Sequence, residues 1–450
     1  MTIDLSRRSL LASGAVFGLA ATAQPARAQS PRRLVAERRV LDIDGKSVSV
    51  FGLRQSDGTA GLTLEPGERF TGDLLNKTNE DTIVHWHGQT PPNVQDGVAE
   101  TGSPLIPPGG TQNYDFAARA GTHWMHSHRG LQEQQLMAAP LVVRSAEDLK
   151  RDAQEVVVLL HDFSFKEPAE LLSKLGGGHA MHHGGMPADL NDVEYDAYLA
   201  NDRTLTDPLV VRTERNGRVH LRLINGATTT AFWIGLGGAT ATVFAVDGNP
   251  VRPVSGARFP LAQGQRLDLL ITMPKGGGSV PVLAQREGDR ARTGIVLATA
   301  NAPVARIASQ ADTVAGPIDL SLEQRLSAAA PPATAAAANT LKIALTGSMM
   351  PYAWGIAQHG PLSVKPGQRV TLEMTNRSPM AHAMHLHGHH FQIVVLNGKA
   401  LAGALRDTVL VPIGASVKVA FDADNPGRWL LHCHHLLHMV TGMMTEIRYT

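Results

Sequence analysis

The sequence predicts an all-β protein assembled from three β-sandwich domains, and three observations carry that prediction. Glycine (44) and proline (27) are plentiful while aromatic residues make up only 5% of the chain, a composition suited to an ordered protein with many turns. Polar and apolar residues alternate in short segments after Pro/Gly turns, as in Arg369-Val-Thr-Leu-Glu-Met374, GQRLDLLI at 264–271 and GASVKVAF at 414–421. That is the two-residue period of half-buried strands. The chain also contains two copies of one module, and many short strands between turns are the raw material of sandwiches.

With 450 residues, about two to four domains with ample core are expected at roughly 100–200 residues each. Lysine and arginine number 41 against 40 acidic residues, a net charge of +1, so no one-signed field exists to gather nucleic acid or coat a membrane. The single cysteine, Cys433, forbids an intrachain disulfide, and 20 histidines are left to explain.

Taken in chain order, residues 1–28 come first. Arg7 and Arg8 precede an apolar run that ends at Ala26-Arg27-Ala28, which resembles a twin-arginine export signal with a small-residue cleavage site. The run falls short of the ~20 residues of a spanning helix, and no other stretch is long and apolar enough, so a soluble periplasmic protein without stable membrane insertion is expected. The first sandwich is expected over 34–147, ending after the strand APLVVRS. A second is expected over 148–315, with QEVVVLLHDFSF, HLRLIN and TVFAVDG as strands. Residues 316–340, which include SAAAPPATAAAANT, have the Ala/Pro composition of a linker. The third sandwich is expected over 341–450.

The duplication is specific. Pro66-Gly67, Asn76, His85, His87 and Gly88 recur 300 positions later as Pro366-Gly367, Asn376, His385, His387 and Gly388. Gly121, His126 and His128 recur 306 positions later as Gly427, His432 and His434. The outer thirds are therefore copies of one fold, while the middle third lacks paired histidines of this kind.

Four pairs result: His85/His87, His126/His128, His385/His387 and His432/His434. On a strand, residues i and i+2 point the same way about 6.5 Å apart, so each pair can serve two neighbouring ions or one ion from two sides. If the modules face each other, eight imidazoles converge. Imidazole alone suits zinc, copper, iron or nickel. The last module narrows the choice, because Cys433 lies between His432 and His434, followed by His438 and Met443, with His382 ahead of the third pair. A cysteine, two histidines and a distant methionine form the ligand set of a blue-copper electron-transfer site. The matching positions of the first module are Thr82, Ser127 and Gln132, which cannot build it. Strand alternation sends the Cys433 side chain away from its two histidine neighbours, so one backbone joins the thiolate copper to the cluster. Electrons are expected to enter at Cys433 and pass along it to the histidines.

HWHG, HSH, HAMHLHG and HCHHLLHMVTGM, in this order, resemble the four copper motifs of the multicopper oxidases, and the similarity covers essentially the whole chain after residue 28. The stretches DGVAETGSPLIPPG, RLINGATTTAFWIGLGGATATVFAVDGNPV, RDTVLVPIG and DNPGRW are also family-like. The resemblance implies three cupredoxin-like Greek-key β-sandwich domains and four copper ions. It implies His382, Cys433 and His438 at the type 1 copper with Met443 axial, and His85 and His385 at the type 2 copper. His87, His126, His128, His387, His432 and His434 fall to the type 3 pair. Asp96, eleven residues beyond His85, takes the place of a carboxylate that helps supply protons; its plain alternative is a loop aspartate in NVQDG. Two positions depart from the pattern: Met439 stands where some bacterial members have an acid, and His382-Ala383 where many have His-Pro.

The implied reaction is one-electron oxidation of a small donor, cuprous ion or a phenol with manganous ion a third choice, coupled to reduction of dioxygen to water. Residues 176–187, GGGHAMHHGGMP, carry His179, Met181, His182, His183 and Met186 and suggest copper capture, or else a plain surface loop. Met349, Met350, Met380 and Met444 are similarly open between donor binding and packing. A noncatalytic envelope scaffold of the same fold would have lost ligands, and a copper nitrite reductase would have a shorter two-domain subunit without all four motifs.

Overall fold

Strands account for 51% of the protein and helices for 7%, the all-β class expected. The computed structural model describes residues 32–176, 190–330 and 337–450. The export-signal stretch, most of the His/Met stretch and part of the Ala/Pro stretch lie outside those residues.

Six sheets pair up along the chain. In the first third, one four-stranded sheet runs Lys46–Gln55, Arg32–Ile43, Arg69–Asn76, Thr111–Ala117, and another runs Leu62–Leu64, Ala138–Val143, Gly121–Ser127, Val84–His87. The alternating residues of these strands supply one buried cluster that includes Phe51, Phe70, Trp86, Tyr114 and Phe116. The last third repeats the second of these sheets in the same order: Leu362–Val364, Met444–Tyr449, Arg428–Cys433, His382–Leu386, with Thr408–Val411 added at the edge. Even the parallel pairings are duplicated, Leu62 beside Leu141 and Leu362 beside Ile447. The repeated asparagine has a structural reason. Asn76 Nδ2 donates to the carbonyls of Glu80 and Ile106, and Asn376 Nδ2 donates to those of Met380 and Val411, so each ties the strand end to the loop that carries the first histidine pair.

The middle third forms a six-stranded sheet centred on Arg218–Asn225 and Arg266–Thr272 and a five-stranded sheet centred on Ser279–Arg286. Its core is continuous with that of the last third, and residues 32–450 form one compact unit. Part of the stretch read as linker is packed here. Ile318, Leu320, Leu322, Leu326 and Ala328 are buried, the Ile318 amide donates to Glu287 Oε2, and Ala328 pairs with Val251. The leucines ahead of the Ala/Pro run drive this burial, which composition averaged over the whole stretch conceals. No helix among the described residues is long and apolar enough to cross a membrane.

Candidate metal centre

Strand register brings the histidines together. The antiparallel pairing of Val84–His87 with Gly121–Ser127 sets His85 opposite His126, and that of His382–Leu386 with Arg428–Cys433 sets His385 opposite His432. Alternate side chains share a face, so the second member of each pair follows the first toward the other module. Ligand atoms of His85, His87 and His385, of His87, His126 and His434, and of His128, His387 and His432 each lie within 4.8 Å of one another. The modules interleave, with His87 stacked on His385 at 3.8 Å between ring centroids and His85 at 3.9 Å from His387. All eight rings are buried.

Oxygen atoms hold the outer ring nitrogens and turn the others inward. The Nδ1 atoms of His85, His385 and His432 sit 2.9 Å from the carbonyls of Asp96, Asp407 and Cys433. His387 Nδ1 lies 2.8 Å from Asp96 Oδ2, and His126 Nδ1 lies 2.9 Å from Glu133 Oε2. His87 is turned the other way, its Nε2 3.1 Å from Asp407 Oδ1 and 3.2 Å from Thr408 Oγ1. What faces the interior is unsatisfied: His87 Nδ1, His126 Nε2, His128 Nε2 and both nitrogens of His434 are buried with no hydrogen-bond partner. Elsewhere inward nitrogens confront each other, His387 and His432 at 2.9 Å and His85 and His385 at 3.4 Å between Nε2 atoms. Burial pushes His87, His126, His128, His385, His387 and His434 well below the usual imidazole range and His432 down to about 3. Neutral imidazoles with orphaned lone pairs are what a metal requires and what a core without one would avoid.

A second convergence lies on the opposite face of the Cys433 strand. Cys433 Sγ is 3.6 Å from His382 Nδ1 and 3.8 Å from His438 Nδ1, and the two Nδ1 atoms are 3.1 Å apart. Their outer Nε2 atoms are engaged, that of His382 by Ser378 Oγ and that of His438 by Asp192 Oδ2 at 3.0 Å. Met443 is fully buried, its carbonyl accepts the Cys433 amide and its amide donates to the His438 carbonyl. Burial pushes the Cys433 thiol up to about 12, a cost that a bound cation reverses. In the first module the matching positions close on themselves, since Thr82 Oγ1 and Ser127 Oγ both donate to Gln132 Oε1 at 2.8 Å. A hydrogen-bonded trio fills the space that a metal site would occupy.

Two facing modules with an eight-histidine interior, and a Cys/His/His site in one of them only, agree with what comparison with known proteins finds. Residues 40–148, 154–302 and 331–450 each match a multicopper oxidase family domain. The chain belongs to the multicopper oxidase family. It is 31% identical to multicopper oxidase MmcO of Mycobacterium tuberculosis over 97% of its own length and 92% of that protein's. It is 25% identical to copper resistance protein A of Escherichia coli over 86% and 87% of the two chains. The laccase from Botrytis aclada shares the fold, with a TM-score of 0.76 at 22% identity over 92% of this chain and 86% of that one.

As a multicopper oxidase, the protein is an oxidoreductase of three cupredoxin-like sandwiches whose family implies four copper ions, of types 1, 2 and 3. The donors present fit them, with imidazoles in the cluster and thiolate beside imidazole at Cys433. Asp96 is fully buried against His85 and His387. Met380 is buried and Met349 half-buried, whereas Met350 and Met444 are 52% and 42% exposed.

Sequence reasoning missed four polar neighbours of this multicopper oxidase's histidines. Asp407 contacts His87, and Arg266 grips Asp407 from the middle third, with Nη1 2.7 Å from Oδ1. Asp192 contacts His438, receives the Tyr352 hydroxyl and comes from the middle third. Glu133 contacts His126. Two of them carried a signal: Asp407 lies in the family-like stretch RDTVLVPIG, and Glu133 is the counterpart, 306 positions back, of Met439.

Proposed function

We propose that this multicopper oxidase couples one-electron oxidation of cuprous ion or a phenol to four-electron reduction of dioxygen to water. The observation that carries this reading is the chain adjacency of Cys433 to His432 and His434, with side chains on opposite faces of one strand. In this reading His382, Cys433 and His438 would hold the type 1 copper, with Met443 as a further, weak ligand. His85 and His385 hold the type 2 copper, and His87, His126, His128, His387, His432 and His434 hold the type 3 pair. When bound, copper supplies a one-electron couple at the thiolate and, in the cluster, enough stored electrons to reduce dioxygen without releasing partly reduced species.

The chain's own residues do the rest. The peptide units on either side of Cys433 form the short covalent link between donor and acceptor groups, and the Cys433 carbonyl accepts Nδ1–H of His432. Asp96 Oδ2 accepts Nδ1–H of His387, which makes it the carboxylate placed to hold a proton beside the oxygen site with Met439 in the acid's usual place. Asp192 fixes His438 and Ser378 fixes His382, so that both Nδ1 atoms stay directed at the thiol.

Cuprous ion is favoured as donor by the likeness to copper resistance protein A, and phenols by the likeness to laccases. Manganous ion has no such support. The His/Met stretch at 176–187, outside the described residues except for Gly176, suits copper capture on composition. Export by the twin-arginine route to the periplasm is supported by Arg7-Arg8 and the apolar run after it. The three domains are read as 34–147, 148–315 and 341–450.

Oxygen uptake by copper-loaded protein, measured in parallel with cuprous ion, a phenol and manganous ion, tests the reading. Uptake with one of the first two, at one dioxygen per four electrons and without peroxide release, is expected. No uptake with any of them contradicts it.

A further inference from the structure

Among the described residues of the middle third none belongs to the ligand set proposed above, yet one of its turns lies against the cluster. Between strands Arg258–Leu261 and Arg266–Thr272 the chain turns through Ala262–Gln265, closed by the Gln265 amide on the Ala262 carbonyl and pinned by Asn225, whose carbonyl accepts the Gly264 amide. Gly264 has φ +75°, and a Cβ placed on it would lie 2.7 Å from His434 Cδ2, 2.9 Å from His434 Cγ and 3.1 Å from His87 Cε1. The backbone therefore sits directly on two imidazoles from different modules, and only glycine fits there.

The two residues that follow reach His87 and His385 through their partners. Gln265 Nε2 donates to the Thr408 carbonyl at 3.1 Å, and the Thr408 hydroxyl lies 3.1 Å from His385 Nδ1 and 3.2 Å from His87 Nε2. Arg266 Nη1 donates to the Gly264 carbonyl at 2.9 Å and to Asp407 Oδ1 at 2.7 Å, and its Nη2 engages Asp407 Oδ2. Asp407 Oδ1 is in turn 3.1 Å from His87 Nε2, so it takes the ring hydrogen that leaves Nδ1 free. All of these groups are buried.

We propose that Gly264, Gln265 and Arg266 form a positioning element for the cluster: the middle third sets His434 and His87 by backbone contact and fixes the orientation of His87 through an Arg266–Asp407 fork. The inference rests on the ligand reading above and adds to it a role for the middle third. A rigid outer support of this kind governs how tightly first-contact ligands hold an ion. A planar guanidinium spans both carboxylate oxygens and the Gly264 carbonyl at once, which a lysine ammonium cannot do.

Gly264→Ala and Arg266→Lys test it in full-length, copper-loaded protein. Three quantities are read: intensity of the blue thiolate-to-copper band, total copper per chain, and the fraction of copper visible by electron paramagnetic resonance. A coupled pair of cupric ions is silent in that resonance and a lone one is not. Gly264→Ala is expected to keep the blue band and lose the silent pair, with total copper falling toward half. Arg266→Lys is expected to keep the band and release cluster copper to a chelator about 10–100-fold more readily.

If both variants retain the silent pair at wild-type chelator resistance, the positioning role is overturned. Loss of the blue band together with cluster copper in both variants overturns it too, because a local support must spare the thiolate site. Should Gly264→Ala alone fail in that way, Arg266→Lys decides. Wild-type protein separates the two levels, since absence of a silent pair there contradicts the ligand reading itself.

Discussion

Glu133 Oε2 lies 2.9 Å from Nδ1 of His126, and both are buried. This pair has no equal in the last module, where His432 corresponds to His126 and Met439 to Glu133. His432 Nδ1 makes do with the Cys433 carbonyl, whereas His126 Nδ1 has both the Ser127 carbonyl at 3.1 Å and the carboxylate. The duplicated frame has thus placed this acid on the side of the first module and the Cys433, His382 and His438 group on the side of the last.

Glu133→Ala is expected to weaken copper retention in the cluster by about 10–100-fold while the blue band stays, because His126 loses the acceptor that turns Nε2 inward. Glu133→Gln, which keeps an acceptor oxygen, should recover most of it. Chelator competition followed at the blue band and by total copper checks both.

Asp96→Asn should slow steady-state oxygen uptake by about 10²–10⁴-fold, the span associated with removing a positioned acid or base. Anaerobic bleaching of the blue band by one equivalent of donor should stay unchanged, since the thiolate site makes no contact with Asp96. Stopped-flow bleaching beside oxygen-electrode rates separates the two steps.

Asp192→Asn concerns the other site. Its carboxylate accepts Nε2–H of His438 and so strengthens Nδ1 as a donor to the cupric state. Without that charge the cuprous state gains, and the type 1 potential should rise by about 60 mV for each tenfold change in relative affinity. Redox titration at the blue band gives the value, and a fall would contradict the assigned role.

Glu287 governs a pH dependence of stability remote from copper. Burial pushes it up from 4.5 to about 7, against the weaker pull of the Ile318 amide and Arg286. Its proton is held more tightly in the folded protein, so its contribution is fully present below pH 4.5 and is lost as pH rises through about 7. At most about 3 kcal/mol is involved. Glu287→Gln should therefore melt higher than wild type at pH 8 and show little difference at pH 4.5, as calorimetry at the two pH values would report.

Much of the site was legible because strand periodicity and duplication are local properties of the sequence. The spacing of His85 and His87 fixes a common face whatever the fold around it, and the offset of 300 to His385 and His387 implies the facing module. The outer contacts were not legible, since they join residues far apart in the chain: His87 meets Asp407 across 320 positions, and His438 meets Asp192 across 246. No periodicity marks a lone aspartate at a bend between strands or in a loop. The packing of Ile318 and Leu322 was hidden by the alanines and prolines that follow them, which dominate the composition of that stretch. Glu133 is the instructive case. Comparing the modules in the direction from Met439 backward exposes it, whereas looking only for what the first module lacks does not.

The most direct test replaces one atom. Copper-loaded Cys433→Ser and wild-type protein are compared for total copper, the blue absorption band and oxygen uptake with cuprous ion. Wild type should carry about four coppers, and the variant should lose one copper, the whole blue band and turnover while keeping the silent pair. A variant that retained the blue band or full oxygen uptake would contradict the account.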